Sequence, residues 1–117
     1  MHKPSEIELS KARALSAVMD AVREIDPEMP AQTLAALITI FANPPRITMS
    51  DLQTKIGLSD ASCSRVVTRL SEWEKYKTKP GKDFVSRYPN PEDRRYQLVE
   101  LKPKGAEAVR RILNRMK

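Results

Sequence analysis

Between Ile47 and Leu70 the sequence sets two short helical patterns on either side of Gly57, and that spacing predicts a helix-turn-helix. Ser50 is expected to cap the first helix, with Gln53 three residues on completing a capping box. Leu52 and Ile56, four apart, share one side of it. Gly57 supplies a residue that takes positive φ and ends the helix. Ser59 is the expected cap of the second helix, with Leu58 and Cys63 placed for a hydrophobic staple. In that helix Cys63, Val66, Val67 and Leu70 fall at i, i+3, i+4 and i+7, which is one buried stripe. The opposite face carries Ser62, Ser64, Arg65, Thr68 and Arg69, all hydrogen-bond donors and none acidic. A helix anchored on one side and offering donors on the other suits phosphate contact and major-groove reading. An ordinary helical hairpin with a solvated polar face has the same pattern.

The flanking segments extend the pattern. Residues 5–26 form a predicted helix capped by Ser5, with Leu15, Val18, Met19, Val22 and Ile25 at helical spacing, closed by Asp26-Pro27. Pro30 opens a second helix that runs to about Phe41, its apolar face built from Leu34, Leu37, Ile38 and Phe41 and widened by Ala35, Ala36 and Ile40, which makes it the helix expected to be most buried. Asn43-Pro44-Pro45 breaks the chain, and Ile47-Thr48-Met49 can form a very short strand. After Leu70 the helix-turn-helix is expected to continue through Ser71, Glu72 and Trp73. Pro80-Gly81 is a turn signal inside a lysine-rich stretch with Lys75, Lys77, Lys79 and Lys82. Phe84–Tyr88 and Arg94–Leu101 read as two strands around a turn cluster, with Tyr96, Leu98 and Leu101 directed inward. Residues 104–117 form a last helix, with Ala106, Val109, Ile112, Leu113 and Met116 on one side and Arg110, Arg111, Arg115 and Lys117 on the other. The fold class is therefore mainly α with a small antiparallel β-wing, a winged helix-turn-helix in one domain over 1–117. The helices at 5–26 and 104–117 are the candidate dimerisation elements.

Charge is distributed unevenly. The net +6 comes from a first part, residues 1–46, at −1 and a second part, 47–117, at +7. A basic region that begins only at the helix-turn-helix is the footprint expected for nucleic acid, although a basic surface that only aids solubility gives the same total. No apolar run approaches the ~20 residues of a membrane span, and the N-terminus lacks a secretory apolar region. A single cysteine excludes an intrachain disulfide, and a reducing cytoplasm is the default compartment. With one histidine, three glycines and no metal-ligand spacing, no enzyme, metal or cofactor is expected.

Three stretches carry a resemblance. The run from Leu58 to Leu70, the tip NPEDRR from Asn90 to Arg95, and LVELKPKG from Leu98 to Gly105 together make Pro30–Gly105 similar to the winged-helix core of the MarR family of bacterial transcriptional regulators. The tip approaches that family's D-x-R-D-R-R pattern at a similar distance from the second helix of the motif. The resemblance implies a repressor-like regulator that binds double-stranded DNA as a homodimer at an inverted repeat, in a bacterial or phage-encoded, nucleoid-associated setting. It further implies a small-molecule effector as a partner, and no membrane. Carried over by position, Ser62, Ser64, Arg65 and Thr68 face bases or phosphates. Arg65 is assigned to a base and Arg69 to a phosphate, because Arg65 lies nearer the helix N-terminus. Arg94 or Arg95 enters the minor groove while Asp93 braces the wing. Outside the resemblance, Lys75, Lys77 and Lys79 are expected from their charge to neutralise phosphates, in a loop that is either DNA-contacting or host-specific. Departures are Asn90 in place of the first Asp of the tip, a longer and more basic segment over 74–83, and a short C-terminal end.

Other classes remain open at this level. The winged helix could bind a polymerase or replication factor, or hold nucleic acid without sequence preference. Cys63 could act as a redox sensor, but its place on the apolar stripe favours packing. His2 has no partner cluster, and Trp73 and Tyr76 could pack beneath the wing or line a pocket.

Overall fold

The computed structural model describes residues 2–75 and 79–116. Among them the elements run α1 (Glu6–Ile25), α2 (Ala31–Phe41), β1 (Ile47–Thr48), α3 (Met49–Ile56), α4 (Asp60–Leu70), β2 (Trp73–Lys75), β3 (Lys79–Pro80), β4 (Val85–Asn90), β5 (Asp93–Leu101) and α5 (Pro103–Leu113). The chain divides into two compact units, residues 1–29 with 110–117, and residues 30–109.

In the first unit Ser5 caps α1 as predicted. Its hydroxyl accepts from the Glu8 backbone N–H at 3.1 Å, and the Glu8 carboxylate accepts from the Ser5 N–H at 2.7 Å. These bonds favour the ionised carboxylate and hold Glu8 below the usual carboxylate range. Asp26 ends the helix in an extended conformation, as expected before Pro27, and its side chain accepts from the Glu28 N–H at 3.0 Å. The apolar set at helical spacing is only partly buried. Ala21 and Val22 are buried, whereas Leu15 is 63% exposed and Met19 41%. Helical spacing defines a face, but it does not supply a neighbour to cover it. The same holds at the C-terminal end, where Met116 is 60% exposed and Leu113 41%. α5 stops at Leu113 rather than at 117, and the Arg115 and Met116 N–H groups reach back only three residues to the carbonyls of Ile112 and Leu113. Arg115 and Glu24 form an ion pair at 2.5 Å.

The second unit holds the helix-turn-helix and the sheet. α2 buries Thr33, Ala36, Leu37 and Ile40. Leu37, Ala36 and Ile40 of the expected face are buried, Leu34, Ile38 and Phe41 are only half-buried and Ala35 is exposed, so the stripe centres on the widening residues. Pro30 sits just before the helix in extended conformation rather than in its first turn. β1 pairs with β5 (Ile47 opposite Val99) and β5 with β4, giving the antiparallel order β1-β5-β4. Because Thr48 is held extended in that ladder, the switch to helix comes there. Thr48, not Ser50, caps α3 by accepting from the Asp51 N–H at 3.0 Å. Gln53 consequently makes no capping box and donates to Asp60 instead. Gly57 takes φ +67° and ends α3, and Ser59 caps α4 through the Ser62 N–H at 3.2 Å, both as predicted.

α4 ends at Leu70 instead of running through Trp73. The returning chain takes its last carbonyls: the Phe84 N–H donates to Leu70 at 2.8 Å, Asp83 to Ser71 at 3.0 Å and Lys82 to Arg69 at 3.1 Å. Asp83 adopts φ +60° at this junction and pairs with Lys102 at 2.5 Å. The ion pair holds the Lys102 ammonium above its ordinary range. Trp73–Lys75 leaves as a strand and pairs with β3, so Pro80 lies in a ladder opposite Trp73 rather than at a turn. Tyr76, Lys77 and Lys117 lie outside the described residues.

Gly105 lies in the first turn of α5, close against the backbone at Phe84. A Cβ there would sit 2.3 Å from the Phe84 carbonyl oxygen and 2.9 Å from a Leu101 methyl. Gly105→Ala is expected to lower stability by about 2 kcal/mol or more through forced backbone displacement. Gly57→Ala, with open space but positive φ, should lose about 1 kcal/mol. Urea midpoints of the two variants check the order.

Candidate nucleic-acid interface

α4 presents the two faces that its sequence prescribes. Cys63, Val66, Val67 and Leu70 are all buried. On the other side Arg65 is exposed, and Ser62, Ser64, Thr68 and Arg69 are half-buried at the edges. The Arg65 guanidinium donates to the Ser62 hydroxyl at 3.2 Å, which leans its stem toward the helix N-terminus. The Cys63 thiol is fully enclosed, and burial pushes its pKa up against an opposing pull from Arg87. A thiol so placed packs; it is poorly suited to oxidation, which needs thiolate and access.

The wing predicted between Phe84 and Leu101 is an antiparallel hairpin, β4 against β5, with Val85 opposite Leu101 and Tyr88 opposite Leu98. Its tip is closed by side chains. Asn90 accepts from the Glu92 N–H at 3.0 Å, so the amide oxygen does the turn-closing that a carboxylate would do. Asp93 accepts from Arg95 at three points: Nε at 3.0 Å, Nη2 at 2.9 Å and the backbone N–H at 3.2 Å. Arg95 is therefore folded back along its own strand, with its guanidinium 5.7 Å from the centre of the Tyr96 ring. Arg94, also exposed, stands outside that clamp. Tyr96 is 53% exposed rather than inward, because β5 at this point has passed beyond the cover of β1. Leu98 is inward as predicted, and its neighbour Val99 is buried too, since β5 is the central strand.

Arg94 and Arg95 border a cleft of about 410 Å³ whose other wall is Thr48, Ser50 and Gln53 with Asp60 of α4. The wing and the start of α4 therefore share one rim. Lys75 and Lys79 are opposite each other in the β2–β3 register. Lys77 lies outside the described residues. Among the described residues no group of His, Cys, Asp or Glu could hold a metal ion, and no helix is long and apolar enough to cross a membrane.

One contributor escapes a reading of the sequence. Arg87, in β4, donates through Nη1 to the Ser64 hydroxyl at 3.0 Å and through Nε to the Gln97 side chain of β5. The signal that could have found it is parity. Arg87 stands in the phase of Val85, which is buried, so a strand period of two turns its side chain toward the protein. Ser64 is engaged by this bond.

Comparison with solved structures gives the architecture a name. The RV1404 protein from Mycobacterium tuberculosis superposes with a TM-score of 0.73 over 99% of this chain and 77% of its own, at 21% identity. A MarR mutant from E. coli complexed with operator DNA gives 0.66 over 92% of this chain and 69% of its own, at 22% identity. The chain has the MarR-type winged-helix fold. The PcaV transcriptional regulator from Streptomyces coelicolor, solved with its natural ligand, shares the MarR-type fold at a TM-score of 0.64, covering 99% of this chain and 78% of its own at 18% identity. In sequence, an uncharacterized HTH-type transcriptional regulator of Bacillus subtilis, YdgJ, is 32% identical over 79 residues. That match covers 68% of this chain and 43% of the relative's length. No protein-family model matches the chain.

Because the Arg95 guanidinium and backbone hold Asp93 below the usual carboxylate range, the clamp at the MarR-type wing tip persists in mild acid. The sign follows from the depressed pKa: the contact is present above the ordinary Asp value near 3.9 and is lost as pH falls through the lower folded value. Carboxyl NMR titration should place Asp93 below that value, and Arg95→Ala, which keeps the backbone N–H, should raise it part of the way back.

Proposed function

We propose that this chain is a member of the MarR family, a transcriptional regulator that binds double-stranded DNA in a sequence-specific manner. The single supporting observation is the pairing of α4 with the wing. One side of α4 is wholly buried, the other is cationic, and the exposed Arg94 projects from a hairpin that borders the same cleft as the start of α4. In this reading Arg65 forks onto a base edge in the major groove, and Ser62, Thr68 and Arg69 contact the backbone beside it. Arg94 enters the flanking minor groove, with Arg95 held by Asp93 as part of the wing frame. Lys75, Lys77 and Lys79 add phosphate contacts.

The acting species is a homodimer on an inverted repeat. Leu15 and Met19 on α1, with Leu113 and Met116 at the C-terminal end, leave apolar surface that a second copy would cover. Repression is the expected mode, and a small-molecule effector is proposed on the analogy of PcaV with its natural ligand.

Selection from a random duplex pool should yield an inverted repeat with half-sites about one helical turn apart. On that site Arg65→Ala should weaken binding by roughly tenfold to a hundredfold and relax one base position. Arg94→Ala should weaken it too, with a smaller effect from Arg95→Ala, whose guanidinium is already occupied. Wild-type affinity in both Arg65→Ala and Arg94→Ala would overturn the assignment. Leu15→Glu with Met19→Glu should convert the dimer to a monomer by sedimentation and abolish preference for the full repeat.

A further inference from the structure

We propose that Arg87 is a positioning residue that locks the angle between α4 and the wing, and that sequence discrimination depends on this lock. The lock rests on the DNA-binding function proposed above and assigns to that function a residue that need not touch DNA. Arg87 lies in the middle of β4, half-buried, and joins three elements with one side chain. It donates to Ser64 in the middle of α4, to Gln97 of β5, and is itself carried by β4. A guanidinium is planar and its donors are fixed relative to one another, so two bonds set a direction as well as a distance. A lysine ammonium, a point charge on a flexible stem, cannot do this.

The geometric consequence is specific. A reader that uses two grooves gains discrimination only if both elements arrive in the correct register together. If the hairpin pivots, each element can settle on phosphates in its own register, and non-specific binding survives while preference falls. The packed base of the sheet fixes the foot of the hairpin, through Val85, Val99 and Leu98. Beyond that foot β4 is bulged between Pro89 and Asn90. Arg87 stands opposite Val99 within that foot, and the Ser64–Arg87–Gln97 bridge is a polar tie from there to Gln97, one residue beyond Leu98 toward the tip, and to the recognition helix. Ser64 then contributes to recognition through Arg87 rather than through a base.

The test has two arms. In the first, spin labels are placed on Ala61→Cys in α4 and Glu92→Cys at the wing tip, in a Cys63→Ala background. Wild type is expected to give a narrow distance distribution by pulsed electron resonance, and Arg87→Ala and Ser64→Ala broader ones. Unchanged widths in both would overturn the lock. In the second arm, Ser64→Ala and Arg87→Ala are each expected to lower the ratio of affinities for the selected and random duplexes by about tenfold, with the double variant no worse than the worse single one. Arg87→Lys should also lower the ratio while leaving the salt slope as in wild type. Additive losses, with Ser64→Ala relaxing a single base position, would show Ser64 reading DNA directly and would overturn the proposal. A wild-type protein that prefers no duplex would defeat the DNA-regulator function, and the label distances would still decide the lock. Ser64→Ala removes one oxygen at the edge of α4, so it remains a usable variant even where Arg87→Ala folds poorly.

Discussion

The burial of one stripe of α4 is the constraint on which the remainder depends. An eleven-residue helix is marginal alone in water. Removing Val66, Val67 and Leu70 from water contributes about 1.5–3 kcal/mol apiece, enough together to offset a nucleation cost of roughly 4 kcal/mol. The helix is thus held by its apolar side and its C-terminal carbonyls, which the returning segment from Lys82 to Phe84 captures. Neither anchor uses the exposed side chain of Arg65. The polar face is left to be cationic without loss of stability, and that separation of duties is what a reading helix requires.

The wing inherits its position from the same anchor. Phe84 donates to Leu70 at the end of α4, and the next residue, Val85, begins β4. The hairpin is therefore tied to the helix at its base by backbone and higher up by Arg87. At the tip, the arginines have unequal duties. Asp93 takes the Nε and Nη2 side of the Arg95 guanidinium, which stiffens the turn and occupies those two nitrogens. Such an exposed pair adds little to global stability. Its effect is local order, and Arg94 projects from the ordered frame.

Much of this was legible in the sequence, and the failures have physical causes. The α4 stripe, Gly57, the caps at Ser5 and Ser59, and the β4–β5 hairpin could be read because local chemistry and the core agree there. The start of α3 could not, because two hydroxyls, Thr48 and Ser50, compete for the cap. Pairing of Thr48 with Leu98 across the sheet decides it, and no local pattern encodes that partner. The end of α4 is hidden for a similar reason, since its carbonyls are taken by residues twelve and more positions later. Tyr96 reads as inward and is not, and Leu15 and Met19 share a helical face that the chain leaves open, because periodicity reports a face and not its cover. Within the interface, the cationic face was visible in composition. The Arg87 bridge was not, because a lone arginine in a strand announces its importance only through the parity it shares with Val85.

The charge distribution divides the chain less cleanly than its total suggests. Residues 1–46 are close to neutral at −1, residues 47–102 carry +3 and residues 103–117 carry +4. The excess on α4 and the wing would attract phosphates over a Debye length of about 10 Å at 0.1 M salt. The excess at the C-terminal end has the opposite consequence for association: two copies meeting through Leu113 and Met116 would bring like charges together, whereas the nearly neutral α1 would not. The Arg115–Glu24 ion pair offsets part of that charge within the first unit. Apolar cover at this surface therefore has to outweigh a repulsion that salt screens, so association through it should strengthen with salt while phosphate contact weakens.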